Sequence, residues 1–194
     1  LIFRLSKQTP EAINAFITQY GDTPLAGQLQ QNWLYSLGKR GEWKTFQAHY
    51  DLEANNTKEN ACFHAYSLWR ANRIDEALEY ARDLWMVPFS QPNECDPIFK
   101  VWRDAGGLSR EVAWQRYESA ITSNQITLGG YLERFLDRND KTAAARLKRF
   151  HTKPKRLNGA NATGPDSEQG RFILAHGIER LARRDAKSAL KALN

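Results

Sequence analysis

The sequence lacks the long hydrophobic run that a membrane-spanning helix requires. Its 194 residues contain no apolar stretch near the ~20 residues that cross a bilayer, so we predict no transmembrane segment. Strand signals are almost absent too, because no turn dipeptide stands between alternating β-branched runs. With 41% hydrophobic and 26% charged residues, the composition is that of an ordinary soluble domain. These absences favour an all-α fold.

Motifs for nucleotide binding, metal binding and nucleophilic catalysis are also missing. The sequence has neither a GxxxxGK[ST] nor a GxGxxG loop, and no strand-turn-helix elbow frames a serine. It has no CxxC pair, and its four histidines (His49, His64, His151 and His176) fall at no ligand spacing. We therefore predict no catalytic, cofactor-binding or metal-binding residues.

Helical periodicity is found along most of the chain. The apolar positions at spacings of three and four are Ala61, Ala65, Leu68 and Trp69, then Ile74, Ala77, Leu78, Ala81, Leu84 and Trp85. The polar residues 70–73 between these two faces indicate a tight turn. Asp75 and Glu76 then suit the positive end of the second helix, and Pro88 and Pro92 end it.

A similar turn recurs along the chain. The turn markers are Gly41, Asn72, Gly106, Asn139 and Arg184, at intervals of 31, 34, 33 and 45 residues. Three intervals lie near the ~34-residue tetratricopeptide period, which predicts stacked helical hairpins in a single domain over residues 1–194. The long interval contains a polar, Gly-rich segment that predicts a flexible loop near 157–168. Because the last helix has no polar cap, we expect the natural protein to continue beyond Asn194.

The chain is basic, with a net charge of +6 and a pI of 9.4. This charge permits an acidic partner such as nucleic acid, anionic lipid or an anionic polymer. The densest basic stretches, 134–156 and 180–191, also carry regularly spaced Leu and Ala, which is typical of the solvated faces of amphipathic helices. No sequence feature is suited to recognising nucleic-acid bases, and no aromatic residues are interleaved with the basic run at 134–156 for stacking. Nucleic acid is therefore not among the predicted partners.

The two cysteines, Cys62 and Cys95, lie on either side of the predicted hairpin. A helical hairpin returns the chain toward its starting level, so the two thiols can meet. The residues alone leave open a disulfide or two buried free thiols.

Residues 90–103, SQPNECDPIFKVWR, resemble the N-terminal superhelical region of the periplasmic soluble lytic transglycosylases of Gram-negative bacteria. The LGKRGEW segment at 37–43 and the helix ending at Trp85 also fit, so the resemblance covers residues 30–107 and is diffuse afterwards. It implies a right-handed α-superhelix followed by a lysozyme-like catalytic domain on the same chain. That domain cleaves the bond between N-acetylmuramic acid and N-acetylglucosamine in peptidoglycan, leaving 1,6-anhydro ends. The resemblance also implies a periplasmic location and a Cys62–Cys95 disulfide.

The catalytic signature of that family is a Glu-Ser pair followed by Gly-Leu-Met-Gln. Glu118 and Ser119 form such a pair, but AITSN follows, and Met86 is the only methionine. A glycosidase acid also needs a pocket that raises its pKa, whereas we expect Glu118 on a helix near Arg116. We therefore assign Glu118 no catalytic role and expect this chain to be inactive alone.

Two functions fit these features best, and nucleic-acid binding by the basic segment 134–156 is a weaker third hypothesis. The first is a non-catalytic scaffold that positions peptidoglycan strands for a downstream catalytic domain. The alternative is a tetratricopeptide-like adaptor that binds a protein partner in its groove.

Overall fold

The computed structural model describes residues 8–54, 56–157 and 166–193. In these ranges the chain forms eleven α-helices and three short 3-10 turns, with no strand, which confirms the all-α prediction. The helices are α1 (Pro10–Tyr20), α2 (Pro24–Arg40), α3 (Trp43–His49), α4 (Lys58–Arg70), α5 (Ile74–Trp85), α6 (Asp96–Asp104), α7 (Arg110–Thr122), α8 (Ile126–Leu132), α9 (Arg138–Thr152), α10 (Glu168–Ala182) and α11 (Ala186–Leu193).

The helices belong to two compact units. Unit 1 consists of residues 1–85 and 91–107 and contains α1–α6, and unit 2 consists of 86–90 and 108–194 and contains α7–α11. The single domain over 1–194 and the right-handed superhelix stay predictions. The predicted loop near 157–168 lies mostly outside the described residues. At its edges Leu157 is buried and Glu168 begins α10.

One backbone motif ends several helices. Gly41, Asn72, Gly106 and Asn124 have φ angles of 72°, 62°, 82° and 62°, in the left-handed region that glycine and asparagine tolerate best. At each, the amide donates to the carbonyl three residues back, and the following amide donates to the carbonyl five residues back. This is the Schellman arrangement, which satisfies the last carbonyls of a helix. The turns predicted at Gly41, Asn72 and Gly106 are confirmed.

The turn predicted at Asn139 is wrong. The Asp137 carboxylate accepts a hydrogen bond from the amide of Asp140 at 2.7 Å, so α9 begins at Arg138 and Asn139 is helical. The left-handed turn lies at Asn124 instead, only 18 residues after Gly106. The ~34-residue interval therefore does not continue into unit 2. The turn predicted before Ala186 is present, where the Asp185 amide donates to Leu181.

The core of unit 1 is built on α2. Leu29, Trp33 and Leu37 recur every fourth residue and pack with Phe46 of α3 and Phe63 of α4. Two predicted faces are also confirmed in their buried members, which are Ala61, Ala65 and Leu68 on α4 and Ala77, Ala81 and Trp85 on α5.

A buried carboxylate joins three helices of unit 2. The Asp140 side chain of α9 is 2% exposed and accepts two hydrogen bonds from the Arg110 guanidinium of α7, at 2.7 and 2.9 Å. Gln169 of α10 donates to the same carboxylate at 3.1 Å. The paired charge and the third donor offset the cost of burying Asp140.

In the part of the chain that the structure describes, no helix is long and apolar enough to cross a membrane.

Candidate functional site: two grooves, a cysteine pair and a histidine pair

Cys62 and Cys95 lie together in unit 1. Both are fully buried, their Cα atoms are 4.7 Å apart, and the structure joins their sulfurs as a disulfide. The link connects α4 to the 3-10 turn Asn93–Cys95, which is the centre of the SQPNECD string. Formation of this bridge in the protein stays a prediction.

Next to this link, two cavities share the Trp43 indole as a wall, and we call them together the Trp43 groove. The first has a volume of about 290 Å³ and is lined by Gly38, Lys39, Trp43, Phe63, Tyr66, Asn93, Glu94 and Pro97. The second has a volume of about 570 Å³ and is lined by Gly41, Glu42, Trp43, Lys44, Thr45, Gln47, Ser67, Arg70 and Ala71. Both lie within unit 1.

Aromatic rings form the inner wall of the first cavity. The Trp43 ring lies 5.3 Å from Tyr66 in an edge-on arrangement and 6.2 Å from Phe63. These contacts hold the half-buried indole in one orientation. Trp43 follows the turn at Gly41, so the Schellman motif leads directly into the residue that lines both cavities.

Polar side chains meet at the rim of the first cavity. Glu94 accepts a hydrogen bond from the Tyr35 hydroxyl at 3.0 Å and lies 3.6 Å from the Lys39 ammonium. Burial alone would raise the pKa of Glu94, but its backbone hydrogen bond, Tyr35 and Lys39 bring that pKa below its usual value. Glu94 is therefore an ionised carboxylate whose charge Lys39 balances.

A second groove, in unit 2, contains Glu118. Its volume is about 520 Å³, and it is lined by Arg110, Glu111, Trp114, Gln115, Glu118, Asp140, Ser167, Glu168, Gln169 and Phe172. The N-terminal ends of α7, α9 and α10 meet here around the Arg110–Asp140 pair. We call it the Trp114 groove.

Glu118 and Arg116 both lie on α7, as expected. Residues two apart on a helix point to different faces, and the Arg116 guanidinium donates to the Phe89 carbonyl at 3.4 Å. Glu118 accepts from the Trp114 indole at 3.0 Å, and burial raises the pKa of its carboxyl. Glu118 therefore has the pocket and the raised pKa that were expected to be missing. The motif argument against a catalytic role is unaffected, and the absence of catalytic residues stays a prediction.

His151 and His176, which are not spaced in the sequence as metal ligands are, lie together in unit 2. His151 Nδ1 lies 3.0 Å from His176 Nε2, and His151 Nε2 lies 3.2 Å from the Asn124 side-chain oxygen. The His151 carbonyl accepts from Arg180 at 3.1 Å. No group of three metal-ligating side chains occurs among the residues described. The pair therefore resembles a structural contact between α9 and α10 more than a metal site.

We expect the free energy of unfolding to fall as the pH drops from 6.5 toward 4. Burial, together with the nearby charge of Arg180 for His151 and of Arg73 for His64, lowers the pKa of each histidine to about 4. The unfolded chain then takes up protons that the folded chain does not, so the stability present above pH 6.5 is lost on acidification. By about pH 5.5 each histidine should cost on the order of 1 kcal/mol.

Urea unfolding between pH 7.5 and 5 measures this loss. His151→Gln should be less stable than the parent at pH 7.5 and should lose less stability on acidification. An identical pH dependence in the two proteins would show that His151 does not contribute.

The helices, the Schellman turns and the grooves define an all-α protein of the helical-hairpin class. Comparison with known proteins shows that the chain is homologous to part of the soluble lytic murein transglycosylases. It is 27% identical over 186 residues to the enzymes of that name from Escherichia coli and Salmonella typhimurium, a match that covers 95% of this chain. No family model matches the chain.

Solved structures agree with the sequence comparison. The lytic transglycosylase Slt from Pseudomonas aeruginosa, solved as an inactive mutant, superposes with a TM-score of 0.88 and 29% identity over 98% of this chain. The 70-kDa soluble lytic transglycosylase in complex with bulgecin A gives a TM-score of 0.76 and 26% identity over 96% of the chain. The chain spans 28% of the curated relatives and about 31% of the Pseudomonas structure. The similarity thus extends well beyond the predicted residues 30–107.

Proposed function

We propose that this chain is a non-catalytic segment of a soluble lytic transglycosylase, and that it binds peptidoglycan strands and positions them for cleavage. In this proposal a catalytic domain elsewhere on the same chain cleaves the bond between N-acetylmuramic acid and N-acetylglucosamine and leaves 1,6-anhydro ends. The protein acts in the periplasm of a Gram-negative bacterium. The segment itself needs no cofactor.

The similarity to the transglycosylases carries the proposal, because it covers nearly all of this chain and less than a third of its relatives. Such a match supports a role as one segment of a larger enzyme, and the volumes of its grooves suit ligand binding. The net charge of +6 supports the same role, since the peptide stems of peptidoglycan carry carboxylates.

The alternative function, a tetratricopeptide-like adaptor, is favoured by the left-handed turns of Gly41, Asn72 and Gly106, which lie 31 and 34 residues apart. An adaptor uses its groove for a peptide and has no reason to bind cell-wall polymer. The two functions therefore differ in their ligand.

Cosedimentation with purified sacculi separates the two functions. We expect the chain to pellet with sacculi in a saturable manner, and the bound fraction to fall as salt rises from 50 to 300 mM because charge contributes. Unfolded chain is removed from each sample before mixing, so that aggregated protein does not count as bound protein. A chain that stays in the supernatant at every salt concentration, while binding peptides, would favour the adaptor.

A further inference from the structure

We infer that the Trp43 groove binds a single strand of an amino-sugar polymer whose substituents carry carboxylates. One sugar ring stacks on the Trp43 indole, and the carboxylates lie against Lys44 and Arg70. The inference rests on the proposed function and deepens it by naming the binding surface and the groups that recognise the strand.

The indole provides the stacking surface. Trp43 is half-buried, and its contacts with Tyr66 and Phe63 fix the orientation of the ring. The same residue lines both cavities. The C–H face of a pyranose is apolar and matches such a fixed aromatic ring. Because the ring is already ordered, stacking costs little side-chain entropy.

The polar groups around the indole match the edges of a sugar. Asn93 presents an exposed amide at one side, where it can donate to and accept from hydroxyl or acetamido groups. On the other side the Gln47 amide donates to the buried Ser67 hydroxyl at 3.2 Å, and that hydroxyl donates to the His64 carbonyl at 2.8 Å. These two bonds give the second cavity a fixed polar floor.

The charge around the groove selects a carboxylate ligand. Glu94 is balanced by Lys39, and Glu42 accepts from the Arg40 guanidinium at 2.6 Å. Lys44 and Arg70 are both exposed at the second cavity. Among the described residues they have no acidic partner within 4.0 Å, whereas the nearby cations Lys39 and Arg40 each have one. Two unbalanced cations beside a stacking ring complement an anionic strand rather than a neutral or cationic one.

The shape favours a strand over a small molecule. The two cavities, about 290 and 570 Å³, both border Trp43, so a ligand that occupies both must continue past this residue. A pocket that closes around a compact ligand buries most of its surface, whereas both of these cavities are open to solvent. A polymer satisfies this geometry with successive units.

The cysteine pair holds one wall of the groove. Cys95 ends the 3-10 turn that supplies Asn93 and Glu94, and Cys62 precedes Phe63 of the inner wall. The link therefore fixes the distance between the aromatic inner wall and the turn that carries Asn93 and Glu94.

Two variants of the full chain test the inference by sacculus cosedimentation. Lys44→Gln/Arg70→Gln should weaken binding about tenfold, and Trp43→Leu should do so by a similar factor. Lys58→Gln/Arg82→Gln is the matched control, because it removes the same net charge from exposed positions of unit 1 outside both cavities and should change binding less than about twofold. Circular dichroism checks that each variant is folded. If Trp43→Leu unfolds, Lys44→Gln/Arg70→Gln still tests the inference.

A neutral probe separates stacking from charge. Calorimetry with chitohexaose, an N-acetylglucosamine hexamer without carboxylates, should show weaker binding that Trp43→Leu abolishes and the charge variant leaves unchanged. Variants that bind sacculi as the parent does, when the parent binds, would overturn the inference and leave the proposed function standing. A parent that does not bind sacculi would overturn both.

Discussion

Reduction of the Cys62–Cys95 disulfide should lower the free energy of unfolding by about 3–4 kcal/mol, the largest single effect expected in this chain. The bridge spans 33 residues, and closing a loop of that length removes much of the conformational entropy of the unfolded state.

Guanidinium unfolding with and without reductant measures this difference. Cys62→Ser/Cys95→Ser is the control, because it should have the lower stability in both conditions and show no response to reductant. A thiol assay on the denatured, unreduced protein should find no free thiols. Two reactive thiols, together with equal stability in the two conditions, would contradict both the bridge and a periplasmic origin.

Gly38→Ala should destabilise the protein by about 1–3 kcal/mol, although alanine is the better helix former. Gly38 lies in the last turn of α2, where a Cβ atom would overlap the ring of Phe63. That ring is 7% exposed and packs with Phe46 in the core, so it has little room to move. The absence of a side chain at Gly38 is what allows α2 and α4 to approach here.

Gly27→Ala on the same helix is the matched control. Apart from the surrounding turns of its own helix backbone, no atom lies within 4 Å of a Cβ built at Gly27, so this change should stabilise the protein by about 0.5–1 kcal/mol. Thermal unfolding of the two variants should therefore move in opposite directions. A Gly38→Ala protein as stable as Gly27→Ala would show that Phe63 adapts without cost.

The turns of this fold could be predicted where the chain provides glycine or asparagine after an apolar run. The ~34-residue period does not predict the turn at Asn124, although Asn124-Gln125-Ile126 follows the same pattern as Asn72-Arg73-Ile74. The prediction at Asn139 is wrong because Asp137 is an N-cap residue, which places Asn139 inside α9. In both cases local chemistry was the better guide.

The grooves could not be predicted from the sequence. In the sequence, Trp43 is simply an apolar residue after a turn. It lines a cavity only because Tyr66 and Asn93, from distant segments of the chain, pack around it. The raised pKa of Glu118 depends likewise on burial against α10, which no local pattern indicates. Properties of this kind arise from tertiary packing.

A single incubation with purified sacculi tests most directly the claim that this chain binds the cell wall without cleaving it. After incubation, the pellet is assayed for the protein, and the supernatant is analysed by mass spectrometry for 1,6-anhydromuropeptides. We predict that the protein is in the pellet and that the supernatant contains no more anhydro products than a protein-free control. Anhydro products that increase with time, and that disappear in Glu118→Gln, would contradict the account and identify the Trp114 groove as an active site.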